Sequence, residues 1–125
     1  MIQLTDKTAQ AFLKENYNRL VLLYFSAPWC GPCKAMGPQL EALETEWSPE
    51  VLFGKVNVDD APIFATTYDV RTVPTCILTY KNVMPRAVLA GARPKAALLS
   101  WLNESITRYL KGSLPGMPIV TLIRS

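Results

Sequence analysis

Cys30 and Cys33, separated by Gly31 and Pro32, are the residues whose type and spacing can carry chemistry in this chain. Two thiols this close in sequence can trade two electrons and two protons for a sulfur–sulfur bond, an exchange that needs no bound cofactor. Their position supplies the activation. The apolar run Leu20 to Phe25 (LVLLYF) precedes them and a helix-periodic segment follows, so Cys30 stands where a strand hands over to a helix. The first amides of a helix lack intrahelical acceptors and leave partial positive charge there, which holds a thiol as thiolate. Cys30 is therefore the expected nucleophile. Cys33, three residues on and on the same side of the first turn, is the expected resolving thiol, attacking the mixed disulfide from within the molecule. Gly31 permits close approach of a partner chain, and Pro32 fixes the backbone angle of the turn.

The same spacing also occurs in zinc sites and in inert cores. Tetrahedral zinc takes four ligands, and this chain has no histidine and three cysteines in all, the third being Cys76. No metal is expected. Inert cysteines sit in apolar surroundings rather than at a glycine-proline helix start, so dithiol exchange is favoured over packing for Cys30 and Cys33. Cys76 itself reads as a small buried hydrophobe in preference to a regulatory thiol. Without an imidazole there is no Cys-His or Ser-His-Asp arrangement, and proton transfer falls to carboxylate, lysine, tyrosine or water.

The elements that hold this pair follow from periodicity. Ile2 to Leu4 forms a short strand, and Thr5-Asp6 opens a helix through Ala9, Phe12 and Leu13. LVLLYF, apolar throughout, is a central strand covered on both faces. Gly31 to Trp47 follows as a helix through Met36, Leu40 and Leu43, with a kink expected at Pro38. Val51 to Val58 is a second inner strand, and Asp59 and Asp60 are placed to cap a short helix from Pro62 to about Tyr68. Thr75 to Tyr80 and Ala87 to Ala90 read as an antiparallel hairpin joined through Lys81 to Pro85. Pro94 begins a last helix whose Leu99, Leu102, Ile106 and Leu110 face inward and which Gly112 ends. The expected architecture is α/β: a mixed sheet of about five strands flanked by four helices, in one domain over residues 1–112. Residues 113–125 are an added tail, broken by SLPGMP and apolar at Ile119 to Ile123, expected to pack on the domain or on a partner.

A length of 125 residues, half of them hydrophobic, suits a single core. The formal charge of +3 is uneven: residues 1–70 carry 5 basic and 9 acidic side chains, residues 71–125 carry 8 and 1. Those eight cations are scattered, so an ordinary solvated surface is expected rather than a nucleic-acid or membrane patch. Met1 to Phe12 lacks the features of a secretory signal, and no apolar run reaches the roughly 18 residues of a spanning helix. The expectation is a cytoplasmic monomer.

Trp29-Cys30-Gly31-Pro32-Cys33-Lys34 is similar to the active-site signature of thioredoxins. Phe25, Ala27, Pro38, Lys55-Val56-Asn57-Val58-Asp59, Val73-Pro74-Thr75 and Gly91 occur in thioredoxin-like order, so the likeness runs from about Ile2 to Ile106. It implies the thioredoxin fold and a cis peptide before Pro74 packed on the disulfide. It also implies a shallow groove of Trp29, Gly31, Pro32, Val73, Pro74, Ala90 and Gly91, in which the Val73 backbone pairs with a substrate strand. The activity implied is protein-disulfide reduction, with disulfide-containing proteins as substrates and a thioredoxin-reductase-like enzyme for recycling. Its cofactor is its own redox pair.

The chain departs from the family at one chemical position. Thioredoxins usually carry a buried aspartate six residues before the first active-site cysteine, and Tyr24 stands there. In the family that acid helps to deprotonate the resolving cysteine near a lysine matching Lys55. Tyr24 is either a relay through its hydroxyl or, the favoured reading, a packed aromatic that leaves the transfer to water or Lys55. Asn82-Val83 replaces the usual asparagine-glycine turn. Two other functions compete: an oxidant or isomerase using the same thiols, and a binding module in which redox cycling is incidental.

Overall fold

The computed structural model describes residues 1–81 and 87–109. Among them five strands, β1 (Ile2–Leu4), β2 (Leu20–Ser26), β3 (Val51–Asn57), β4 (Thr75–Thr79) and β5 (Ala87–Ala90), are interspersed with four helices, α1 (Ala9–Glu15), α2 (Gly31–Trp47), α3 (Pro62–Thr67) and α4 (Lys95–Tyr109). The sheet order is β1-β3-β2-β4-β5. β1, β3 and β2 run parallel, whereas β4 and β5 are antiparallel to their neighbours. This is the mixed, doubly covered sheet that the apolar pattern predicts.

β2 lies in the middle, and all seven of its residues are buried. Its pleat sends alternate side chains to opposite faces. Leu20, Leu22 and Tyr24 join Met36, Leu40, Leu43 and Trp47 of α2 and Leu98, Leu102 and Ile106 of α4. Val21, Leu23 and Phe25 join Ala9 and Leu13 of α1 and Phe64 and Ala65 of α3. Two cores on one strand fix where β2 ends, and therefore where the cysteines sit. Each fully buried leucine-sized side chain contributes about 1.5–3 kcal/mol to that anchoring.

Several local expectations are corrected. Thr8, not Thr5 or Asp6, precedes α1, and its side chain makes no capping bond to that helix. Asp6 serves α3 instead: its two carboxylate oxygens accept the amides of Ile63 at 3.1 Å and Phe64 at 2.8 Å. Asp59 and Asp60 leave that task because Ala61 occupies the N-cap position. An aspartate distant in sequence but close in space satisfies the orphan amides that a local one was expected to meet. On α4 the fully buried residue of the first turns is Leu98, with Leu99 only partly buried, because Leu98 shares a stripe with Leu102 and Ile106. The peptide before Pro74 is cis, as the resemblance implied, and so is Ser48–Pro49. The 82–86 connection, with Asn82-Val83, the inward position of Leu110, the stop at Gly112 and the tail over 113–125 lie outside the described residues.

Candidate active site

Cys30 is the N-cap residue of α2, in extended conformation (φ −90°, ψ 107°). Its Sγ accepts the amide of Cys33 at 3.2 Å, so one of the orphan donors of the helix points at the sulfur. The two cysteines form a disulfide, with Cα atoms 5.3 Å apart. Pro32 lies in the first turn, where a residue without an amide costs no helical hydrogen bond. A Cβ added at Gly31 would meet nothing within 4 Å, so nothing inside this chain demands glycine there. The room it leaves faces solvent.

Cys30 and Cys33 are almost enclosed, at 4% and 6% exposure, in a small cluster with Ala27 against which Val58 and Val73 pack. Val73 leads through the cis bond to Pro74, whose carbonyl accepts the amide of Gly91 at 2.8 Å. Gly91 adopts φ +94°, a backbone state that favours glycine. Ala90 pairs with Thr75 in the sheet. Val73 therefore lies against the cysteines, with Pro74 next to it in the chain, Gly91 bonded to Pro74 and Ala90 paired with Thr75. Trp29 is 69% exposed, and its indole N–H donates to Asp59 Oδ1 at 3.4 Å.

On the other side of Cys33 lies a cavity of about 280 Å³, lined by Tyr24, Ser26, Cys33, Lys55, Asn57 and Gln3 among others. Register explains the company: Tyr24 of β2 is the direct neighbour of Lys55 on β3 and of Cys76 on β4. The Tyr24 hydroxyl donates to the Cys33 carbonyl at 2.9 Å. Burial first, and then the neighbouring Cys76 thiol, push the Tyr24 pKa up to about 12, with the Ser26 hydrogen bond opposing them. Cys76 is fully buried, and that burial lifts its own pKa to about 12. Both groups are neutral at ordinary pH, which agrees with the reading of Cys76 as a packed hydrophobe.

The thioredoxin family model matches residues 1–104. The chain belongs to the thioredoxin family. A thioredoxin of Chlamydia caviae is 44% identical over 95 residues, covering 72% of this chain and 91% of that protein. An M-type chloroplastic thioredoxin of Spinacia oleracea is 42% identical over 90 residues, or 72% of this chain. The chain spans about half the length of the chloroplastic relatives, 47% for spinach and 50% for a rice protein. The X-ray structure of Fasciola hepatica thioredoxin superposes with a TM-score of 0.74 at 35% identity, covering 87% of this chain and 99% of that one.

In this member of the thioredoxin family the Cys30–Cys33 pair sits at the head of α2. Sequence reasoning placed the two cysteines, Tyr24 and Lys55, but missed Ser26, Asn57 and Gln3 as cavity walls and Asp59 as the partner of Trp29. Strand register brings the first three in, and no sequence pattern encodes it. Asp59 was read as the end of the Lys55-Val56-Asn57-Val58-Asp59 stretch and as a helix cap, not as a partner for Trp29.

Proposed function

We propose that this chain reduces disulfides of protein substrates, with Cys30 attacking and Cys33 resolving. The observation that carries the assignment is the Cys33 amide directed at the Cys30 sulfur at 3.2 Å from the start of a helix. In the reduced state the same amide stabilises a thiolate on Cys30, together with the partial charge of the helix end. That thiolate attacks one substrate sulfur. The substrate S–S bond breaks, a Cys30–substrate disulfide forms, and the first substrate thiolate leaves and takes a proton. Cys33, once deprotonated, attacks the Cys30 sulfur, the mixed bond breaks, and the second substrate thiolate departs with a proton. The substrate gains two electrons and two protons, and the chain keeps the Cys30–Cys33 bond until a thioredoxin-reductase-like enzyme returns both.

Groove residues supply the docking. Trp29, Gly31 and Pro32 form one flank and Val73, Pro74, Ala90 and Gly91 the other, with the Val73 backbone pairing with an extended substrate segment. The proton of Cys33 leaves by the cavity beneath it, where Lys55 and Lys34 are the charged wall residues and water is the carrier. Tyr24 acts as a hydrogen-bond donor that holds the Cys33 carbonyl, not as a base. We place the work of this chain in the cytoplasm, in line with the bacterial relatives; the chloroplastic name of the plant ones makes an organelle the competing site.

Insulin reduction driven by dithiothreitol tests the assignment. Wild-type chain should accelerate precipitation of the insulin B chain, Cys30→Ser should match the uncatalysed rate, and Cys33→Ser should accumulate a mixed disulfide. Equal activity of wild type and Cys30→Ser would end the enzyme reading in favour of a binding module. A reduction potential near the thioredoxin value of about −270 mV supports a reductase, and one near the about −180 mV of disulfide isomerase supports an oxidant or isomerase.

A further inference from the structure

Two residues past Gly91 a guanidinium lies over the rim of the groove. A Cβ built on Gly91 would come 2.9 Å from Nη1 of Arg93, so this arginine folds back across the glycine. Gly91 is in turn tied to the site by its amide bond to the Pro74 carbonyl. Arg93 donates from Nη1 to the Ala92 carbonyl at 3.0 Å and makes no ion pair among the described residues. The next cation along the chain, Lys95, is paired with Glu46. Beside the guanidinium is an open hollow of about 270 Å³ lined by Ala35, Met36, Gln39, Ala92, Arg93 and Pro94. Arg93 is its one charged wall. Gln39 Oε1 already accepts the Lys95 amide at 3.2 Å.

A side chain entering that hollow meets apolar surface, a guanidinium with unused donors and no carboxylate. We infer that Arg93 is a specificity residue, favouring disulfides whose substrate segment carries an acidic residue close to the reacting cysteine on the Gly91 side. The carboxylate sits in the hollow and accepts from the guanidinium, whose planar fork suits it. Asp59, at the Trp29 flank, has the opposite sign, so the preference belongs to one end of the groove and not to the groove as a whole. The inference rests on the reductase reading above, with a substrate segment lying along Val73 to Gly91.

Peptide disulfides that differ at one position, Glu, Gln or Lys, two residues before or two residues after the reacting cysteine, provide the test. For one of the two placements, wild type should show kcat/KM about threefold higher for Glu than for Gln and lower still for Lys, the size of an exposed charge pair. At 1 M NaCl, where the screening length is about 3 Å, the differences should vanish. Arg93→Gln should flatten the ratios within its own set of peptides, and Arg93→Glu should reverse them. Equal rates for Glu and Lys at both placements in wild type, or a Glu preference that persists in Arg93→Gln, would overturn the assignment. If the Gln peptide reacts no faster with wild type than with Cys30→Ser, the reductase reading itself fails and takes this inference with it.

Discussion

Replacing Tyr24 by phenylalanine removes one oxygen and leaves the ring that packs between β2 and α2. The hydroxyl donates to the Cys33 carbonyl at 2.9 Å, and a carbonyl can only accept, so the tyrosine proton is committed there. With its pKa raised to about 12, forming the phenolate at pH 7 costs about 7 kcal/mol, taking roughly 1.4 kcal/mol per unit. A tyrosine base at Cys33 is therefore too costly, and a relay would need its proton aimed elsewhere. General acid–base groups contribute about 10²–10⁴-fold where they act, so a relay role and a holding role predict very different outcomes. We expect Tyr24→Phe to resolve a preformed mixed disulfide within about threefold of wild type, with a parallel pH profile. It should lose about 1 kcal/mol of stability from the missing hydrogen bond. Stopped-flow release of a chromogenic thiol from Cys30, measured from pH 5 to 9, reads the first quantity, and urea unfolding reads the second. A hundredfold slower release from a folded variant would refute the assignment of Tyr24 as a donor only.

Tyr24→Asp restores the carboxylate that the family usually has. The burial that lifts the tyrosine should also lift this carboxyl above the usual carboxylate range, so that once ionised it can take the Cys33 proton. Faster resolution near neutral pH and a shifted reduction potential are expected, at a packing cost of about 3 kcal/mol; unchanged release rates and potential would show that the position does not tune Cys33. Alkaline stability should respond to Cys76 and Tyr24, whose folded pKa values of about 12 exceed their ordinary 9.0 and 10.0. Between pH 9 and 12 the unfolded chain gives up protons that the folded chain keeps, so stability is level below 9 and declines as pH rises, by up to about 4 kcal/mol for Cys76 alone. Urea midpoints of Cys76→Ala should fall less steeply over this range, and curves parallel to wild type would contradict the cause. Asp6→Ala should cost about 1–2 kcal/mol through the two α3 amides it leaves open, while Asp6→Asn keeps most of that; calorimetry showing no loss in the alanine variant would remove the cap.

The chemistry and most of the scaffold were legible in the residues. Cys-Gly-Pro-Cys after an apolar run identifies a thiol at a helix start, because both the strand and the helix are local patterns with local causes. The same holds for β2, whose unbroken LVLLYF demands cover on both faces, and for α2, whose apolar spacing continues past Pro38. What the residues could not express was partnership across sequence distance. Asp6 reads as the start of the nearest helix and caps α3 instead, 57 residues away, since a carboxylate goes to whichever orphan amides the fold brings within reach. Tyr24 reads as a packed aromatic in preference to a relay, with the partner of its hydroxyl unnamed. Strand register puts it beside Lys55 and Cys76, and the approach of α2 offers it the Cys33 carbonyl, so tertiary packing alone turned an ambiguous phenol into a neutral donor beside the working disulfide.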